Sequence, residues 1–196
     1  MNLLVGTTNT GKQREVLALF LDTPVHILFP SDFPALHSLS VVETGQTFEE
    51  NAEIKARAAA AATGQIAAAD DSGICVTALD GFPGVLSNRW FTGTSTERVA
   101  ALLKKMENEQ NRAATFVTVV CLYNPETQEN HFFRGEVTGS LALTPRGAAS
   151  EGFEYDFIFI PDGETHTFAE LGNAWKVAHS HRTKAFLQLK DFLLKN

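Results

Sequence analysis

Four stretches of this 196-residue chain combine residue types at spacings that suit phosphate and nucleobase chemistry. The first is Gly6-Thr-Thr-Asn-Thr-Gly11-Lys12, directly after the apolar run Leu3-Leu4-Val5. A helix opening at Thr10 or Gly11 would offer unpaired N–H groups and a partial positive charge to an anion. Thr7, Thr8, Asn9 and Thr10 add small polar groups, and Lys12 adds a full charge. Capping by Thr10 needs only one of them, so four polar residues in a row favour a phosphate-binding turn. The spacing also imitates a P-loop, in which the residue after the lysine is a Ser or Thr whose hydroxyl sits on Mg²⁺. Gln13 stands there instead, which weakens the P-loop reading without eliminating it.

The second stretch is Asp70-Asp71-Ser72-Gly73, reached through the short apolar run 66–69. Two adjacent carboxylates at a strand end form an acidic loop, and they would point to opposite sides if the strand continued. One can hold a cation while the other orients the first or polarises water. Mg²⁺ takes hard oxygen ligands, commonly one or two carboxylates plus phosphate oxygens. A plain turn competes with this reading, since the four residues turn well. The third is Ser180-His181-Arg182, opening the last helix. A cation there opposes the helix dipole, so function explains it better than stability, and Arg suits phosphate or a base carbonyl. The fourth, Gly152 to Asp156, joins an aromatic to a carboxylate, which suits stacking on a base and accepting its ring N–H. A strand start with one buried aromatic is the competing reading.

The elements that must position these residues follow from periodicity and capping. Leu3–Val5 and Val25–Phe29 read as strands, with a helix between them whose apolar face includes Val16, Leu17 and Phe20. Thr47-Phe-Glu-Glu50 and Thr94-Ser-Thr-Glu97 are capping boxes. The first opens an alanine-rich helix that Gly64 ends, and the second a helix to about Met106. The segments ATFVTVVCLY and NHFFRGEVTG read as an antiparallel pair across residues 124–127, and YDFIFIP as another strand. The last helix runs from about Ser180 to Leu194 with a stripe of Ala185, Phe186, Leu189 and Leu193. Helices alternating with strands, then a hairpin, predict an α/β protein with a mixed sheet.

The length suits one domain, or one domain with a lobe. The formal charge of −7 argues against a general grip on nucleic acid, which needs a basic face. The two cysteines, Cys75 and Cys121, lie in apolar segments and read as buried free thiols. The N-terminus lacks the basic flank and apolar core of a signal peptide, and no run approaches the roughly 20 apolar residues of a membrane span. A cytoplasmic protein without nucleic-acid or membrane partners is expected.

The motifs TTNTGK, ETGQTFEENAEIKA, ADDSGICVTALDGFPGVLSNRW, GFEYDFIF, AEL and SHR stand in the order found in the inosine triphosphate pyrophosphatases. The chain resembles that family from Leu3 to about Leu193. The resemblance implies an elongated mixed β-sheet flanked by helices, two lobes with a central cleft, one catalytic domain over residues 1–196, Mg²⁺ as cofactor and a homodimer. It implies hydrolysis of non-canonical purine nucleoside triphosphates (ITP, dITP, XTP) to the monophosphate and pyrophosphate, a house-cleaning reaction. Matched by motif, Thr7, Thr8, Asn9, Thr10, Gly11 and Lys12 cradle the triphosphate and Lys55 reaches it. Asp71 is the catalytic base and metal-linked carboxylate, with Asp70 and Ser72 beside it. Glu43 is the acid left at the metal position, because Val42 stands where bacterial members usually carry the first of two. Phe153, Glu154, Tyr155, Asp156, Lys176, His181 and Arg182 form the nucleobase pocket. Glu154 and Phe157 replace the family's usual Gly and Pro.

A pocket aiming donors from Lys176, His181 or Arg182 at the 6-oxo group of hypoxanthine or xanthine leaves them unpaired against the 6-amino group of adenine. Unpaired donors of this kind cost on the order of 1–3 kcal/mol each. The rival enzyme is a P-loop-like kinase or ATPase releasing the γ-phosphate. A non-catalytic nucleotide-binding module is the third reading, motivated by Val42.

Overall fold

The apolar run that opens the chain is a strand, β1 (Asn2–Val5), with Leu3, Leu4 and Val5 buried. The structure, a computed structural model, describes residues 1–37, 39–147 and 153–195. Helix α1 (Thr10–Phe20) buries Val16 and Phe20, but Leu17 of the expected stripe is exposed. The second strand, β2 (His26–Leu28), lies within the expected 25–29. Helix α2 (Phe48–Thr63) starts at the Thr47–Glu50 capping box and stops at Gly64, where φ is 71°. That left-handed turn lets the Gly64 N–H donate to the Ala60 carbonyl at 2.8 Å, as a terminating glycine does.

Strand β3 (Ala67–Val76) overturns one expectation. It runs straight through Asp70-Asp71-Ser72-Gly73 instead of ending in an acidic loop. A buried strand tolerates two carboxylates only if cations meet them, and the lysines that do so lie far away in sequence.

Helix α3 (Ser95–Lys105) follows the Thr94–Glu97 capping box and carries Lys104 and Lys105 in its last turn, where the dipole favours cations. Strands β4 (Ala113–Tyr123) and β5 (Asn130–Leu141) are neighbours, and the Asn124 N–H closes their connection on the Glu129 carbonyl at 3.0 Å. The run YDFIFIP is only partly strand: Glu154–Phe157 is a 3₁₀ turn, and β6 (Phe159–Pro161) follows. Helix α4 (Phe168–His179) has no counterpart in the sequence reading, although Thr167-Phe-Ala-Glu170 is a third capping box of the same form. Helix α5 (His181–Lys195) buries Ala185, Phe186 and Leu189.

Among the described residues the strands form one six-stranded sheet in the order β2-β1-β3-β4-β5-β6. It is mixed: β1 pairs parallel with β2 and β3, and β5 pairs antiparallel with β6. The chain divides into two compact units. The first comprises residues 1–71, 118–135 and 182–196, and its core includes Leu3, Val16, Phe20, Val120, Phe133, Phe186 and Leu189. The second comprises residues 72–117 and 136–181, around Ile74, Leu102, Met106, Phe116, Tyr155, Phe159 and Phe168. Both cysteines are free thiols; Cys121 is buried, which pushes its thiol up to about 12, while Cys75 is only half-buried. No helix among the described residues is long and apolar enough to cross a membrane.

Candidate active site

In the first unit, the turn between β1 and α1 is braced from inside. The Thr7 hydroxyl accepts the Asn9 N–H at 3.3 Å, and the Asn9 side chain accepts the Lys12 N–H at 3.1 Å. Asn9, not Thr10, is therefore the helix cap. Gln13 donates its amide to the Thr7 carbonyl at 2.9 Å, so the position where a P-loop carries a hydroxyl holds the turn together. Thr8, Asn9 and Thr10 are exposed, and Gly11 and Lys12 are half-buried.

The lysine of this turn reaches the acidic strand. Lys12 Nζ donates to Asp70 Oδ2 at 2.7 Å. Arg182, in the first turn of α5, approaches the same oxygen with Nε at 3.6 Å and donates Nη1 to Glu15 of α1 at 2.8 Å. Asp71 takes other partners: Lys55 Nζ of α2 at 3.0 Å from Oδ1, and Asn51 Nδ2 at 3.4 Å from Oδ2. Lys55 also meets Glu43 Oε1 at 2.9 Å. Successive strand residues point to opposite faces, and this alternation separates the two sets of partners. The three carboxylates read as metal ligands therefore do not gather: Glu43 and Asp71 share Lys55, while Asp70 is engaged by Lys12 and Arg182. Among the described residues no group of three or more His, Cys, Asp or Glu side chains stands ready to hold a metal. Val42 is 73% exposed, whereas Glu43 turns inward to Lys55. Ser72, next along β3, is buried.

These contacts set opposite charge behaviour on adjacent residues. Burial works to raise the Asp70 carboxyl, but Lys12, Arg182 and Lys55 outweigh it and hold the group far below the usual carboxylate range. Burial raises Asp71, with Glu43 and Asp70 adding to it and Lys55 opposing. Burial likewise pulls the Lys12 ammonium down against the pull of Asp70. For Lys55, burial is outweighed by Asp71, Asp70 and Glu43, and its ammonium is raised.

A stability measurement follows from Asp70. A depressed carboxyl stabilises the fold fully above its unfolded value, about 3.9, and loses that contribution as pH falls towards the folded value. Urea unfolding of metal-free wild type and Asp70→Asn is expected to show the largest stability gap near neutral pH, shrinking below about pH 4. A gap that does not change with pH would show that the ion pair contributes nothing.

In the second unit, Lys176 of α4 donates to Asp156 Oδ2 at 2.5 Å, with the two side chains 5% and 1% exposed. Tyr155 is enclosed; its hydroxyl donates to the Ser87 carbonyl and accepts from Trp90 Nε1, each at 2.8 Å. Burial pushes this phenol up to about 12. Phe153 packs against Phe116 and Tyr155, with ring centroids 5.4 and 5.1 Å apart. The buried His181 ring lies 4.9 Å from that of Phe116. The charge that Glu154 brings is matched by Arg98 of α3, at 2.5 Å between Nη1 and Oε1. Glu154 and Phe157 line a cavity of about 210 Å³ with Ser95, Thr96, Val99 and Pro145. Gly152 of the fourth motif lies outside the described residues.

Three polar residues at these clusters escaped the sequence reading. Asn51 precedes Lys55 by four positions and Glu15 follows Lys12 by three, so helical spacing alone places each beside a residue already singled out. Arg98 carried no such signal, because its partner Glu154 is remote in the chain.

Residues 3–192 match the Ham1 family. The chain belongs to that family. Membership agrees with the resemblance read from the ordered motifs. The chain is 46% identical to a dITP/XTP pyrophosphatase of Symbiobacterium thermophilum, covering 97% of this chain and 94% of that protein. A dITP/XTP pyrophosphatase of Deinococcus deserti is 44% identical, over 96% of this chain and 87% of the relative. The solved structure of a HAM1 protein from Coxiella burnetii superposes with a TM-score of 0.91 at 35% identity, over all of both chains. The mixed sheet with flanking helices is thus the Ham1 fold.

Proposed function

We propose that this Ham1-family chain is a nucleoside triphosphate pyrophosphatase that hydrolyses non-canonical purine nucleoside triphosphates such as dITP, ITP and XTP. The observation that carries the reading is the 2.7 Å contact between Lys12 of the N-terminal turn and Asp70. It brings a helix start suited to an anion beside the strand whose next residue, Asp71, is the proposed base.

Each part has a role. The start of α1, with Thr7 to Lys12, takes the triphosphate, and Lys12 and Lys55 balance its charge. Asp71 orients a water and accepts its proton as the water attacks the α-phosphorus. The bond between the α-phosphorus and the bridging oxygen breaks, and pyrophosphate leaves with the electron pair. Arg182, expected in the nucleobase pocket, is held instead by Asp70 and Glu15 beside Lys12, and in this reading it serves the charged end of the nucleotide. Glu43 and Asp71, which share Lys55 as a partner, are the carboxylates that would hold Mg²⁺, since the ion takes hard oxygen ligands, commonly one or two carboxylates plus phosphate oxygens. When bound, the ion supplies electrostatic neutralisation of phosphate oxygens.

Asp156 and Lys176 set an acceptor beside a donor, which complements the N1–H and 6-oxo edge of hypoxanthine and xanthine and opposes that of adenine; guanine shares that edge, so its exclusion falls to its 2-amino group, by shape or mismatch. Both groups are nearly excluded from solvent. Entry of a base therefore requires neighbouring side chains to move aside. We take residues 1–196 as one catalytic domain acting as a cytoplasmic homodimer, following the family resemblance.

The test is an Mg²⁺-dependent assay across dITP, ITP, XTP, ATP and GTP with separate detection of pyrophosphate and orthophosphate. Pyrophosphate from the first three at far higher kcat/KM than from ATP or GTP is the expected result. Orthophosphate as product, or a preference for ATP or GTP, overturns the reading. The P-loop alternative gains nothing from Gln13, whose amide is committed to the Thr7 carbonyl.

A further inference from the structure

Asn51 takes no part in the chemistry proposed above, yet it is the one polar residue among the buried residues of α2 and is 0% exposed. Its Oδ1 accepts the Gly45 N–H at 2.8 Å, which fixes the orientation of the amide. Its Nδ2 then faces the Gly45 carbonyl and Asp71 Oδ2, each at the longer distance of 3.4 Å. Lys55 lies one turn further along the helix, on the same face, and joins Glu43 to the other oxygen of Asp71. Two residues of one helix thus tie the 43–45 segment to both oxygens of a single carboxylate. Gly45 is shaped to the contact: a Cβ there would lie 2.7 Å from Asn51 Oδ1 and 2.7 Å from Glu50 Cβ.

We infer that Asn51 is a positioning residue that sets the separation of Glu43 and Asp71 by clamping Gly45 and Asp71 to α2. The inference rests on the proposed role of those two carboxylates. Lys55 holds the pair by charge, and charge alone leaves the carboxylates free to rotate about the ammonium. The Asn51 carboxamide adds direction, because its acceptor is committed to one backbone N–H and its donors can face only one way. Outer partners of this kind, when removed, typically lower metal affinity or activity by about 10–100-fold.

The test uses Asn51→Leu, which keeps the branching and number of side-chain heavy atoms but removes the polar ones, and Gly45→Ala, which pushes on the same contact from the loop and leaves Asp71 untouched. Both are compared with wild type for dITP turnover, for Mn²⁺ binding measured by electron paramagnetic resonance without nucleotide, and for melting temperature. The expected result is a fall in kcat of about 10–100-fold with the KM for dITP nearly unchanged, and a matching loss of Mn²⁺ affinity. The double variant is expected to be no worse than the poorer single one, since both break one contact. A merely structural role would lower the melting temperature and leave kcat and Mn²⁺ affinity of the folded protein within about twofold, or make the two changes additive, and either outcome overturns the inference. If Asn51→Leu fails to fold, Gly45→Ala decides alone. If wild type releases no pyrophosphate, the functional reading fails, while the Mn²⁺ titrations still decide the positioning.

Discussion

Asp71→Asn is expected to lower kcat for dITP by about 10²–10⁴-fold, the usual contribution of a positioned proton acceptor, while nucleotide affinity stays within a few-fold of wild type. The substitution is nearly isosteric, and Lys55 keeps Glu43 as a partner at 2.9 Å. The charged groups assigned to the triphosphate, Lys12 and Lys55, remain in place. What is lost is the anionic oxygen proposed to take a proton from water. Burial, Glu43 and Asp70 raise the Asp71 carboxyl while Lys55 restrains it, and a carboxylate moved up in this way is a better base than one in water. Pyrophosphate release in single-turnover mixing, together with calorimetric binding of a non-hydrolysable analogue, separates the two effects. Turnover near the wild-type rate in the folded variant would remove Asp71 from the mechanism. Loss of binding in step with turnover would make it a binding group only.

The largest effect on stability is expected from the Lys176–Asp156 pair. Removing one partner of a buried ion pair strands the other charge and typically costs about 3–5 kcal/mol. In a chain of this size that lowers the melting temperature by roughly 6–20 °C. Lys176→Met keeps most of the side-chain volume and removes the ammonium, leaving Asp156, 1% exposed, without the partner now at 2.5 Å. Adding Asp156→Asn is expected to recover much of the loss, because replacing both members of such a pair is often close to neutral. Scanning calorimetry of the two single variants and the double variant checks this directly. Equal melting temperatures for wild type and Lys176→Met would show that the ammonium is not buried as described. The same variants report on base recognition: the preference for dITP over ATP is expected to shrink in the double variant even where its stability is restored.

Capping chemistry made much of the fold legible. Thr47 and Glu50, or Thr94 and Glu97, satisfy helix-end donors with side chains only three residues apart, so the signal is local and the structure places both helices accordingly. The third box, Thr167 with Glu170, carried the same signal, but Gly172 with φ of 80° breaks the helix behind it and blurs its periodicity. The acidic strand was misread for a different reason. Two adjacent carboxylates look like a turn when nothing in the local sequence neutralises them, and the groups that do so, Lys12, Lys55 and Arg182, arrive from three other elements. The charged clusters were legible where the resemblance and the residue chemistry agreed, as at Lys12 and Asp71, which the structure places against Asp70 and Lys55. It was illegible where a side chain works through tertiary contacts alone, as Arg98 does at Glu154 and Asn51 does at Gly45.

That Asp70 and Asp71 lie within β3 also limits how the gene can change in length. Inserting or deleting one codon between Ala67 and Asp70 would turn every later side chain of the strand to the other face. After an insertion Asp70 would stand in the place of Asp71 and meet its lysine, Lys55; after a deletion Asp71 would stand in the place of Asp70 and meet Lys12, so a single codon would do the damage of several substitutions. The exposed connection at 124–129 carries no such parity, so it is there that descendants of this chain can lengthen or shorten without disturbing the acidic residues.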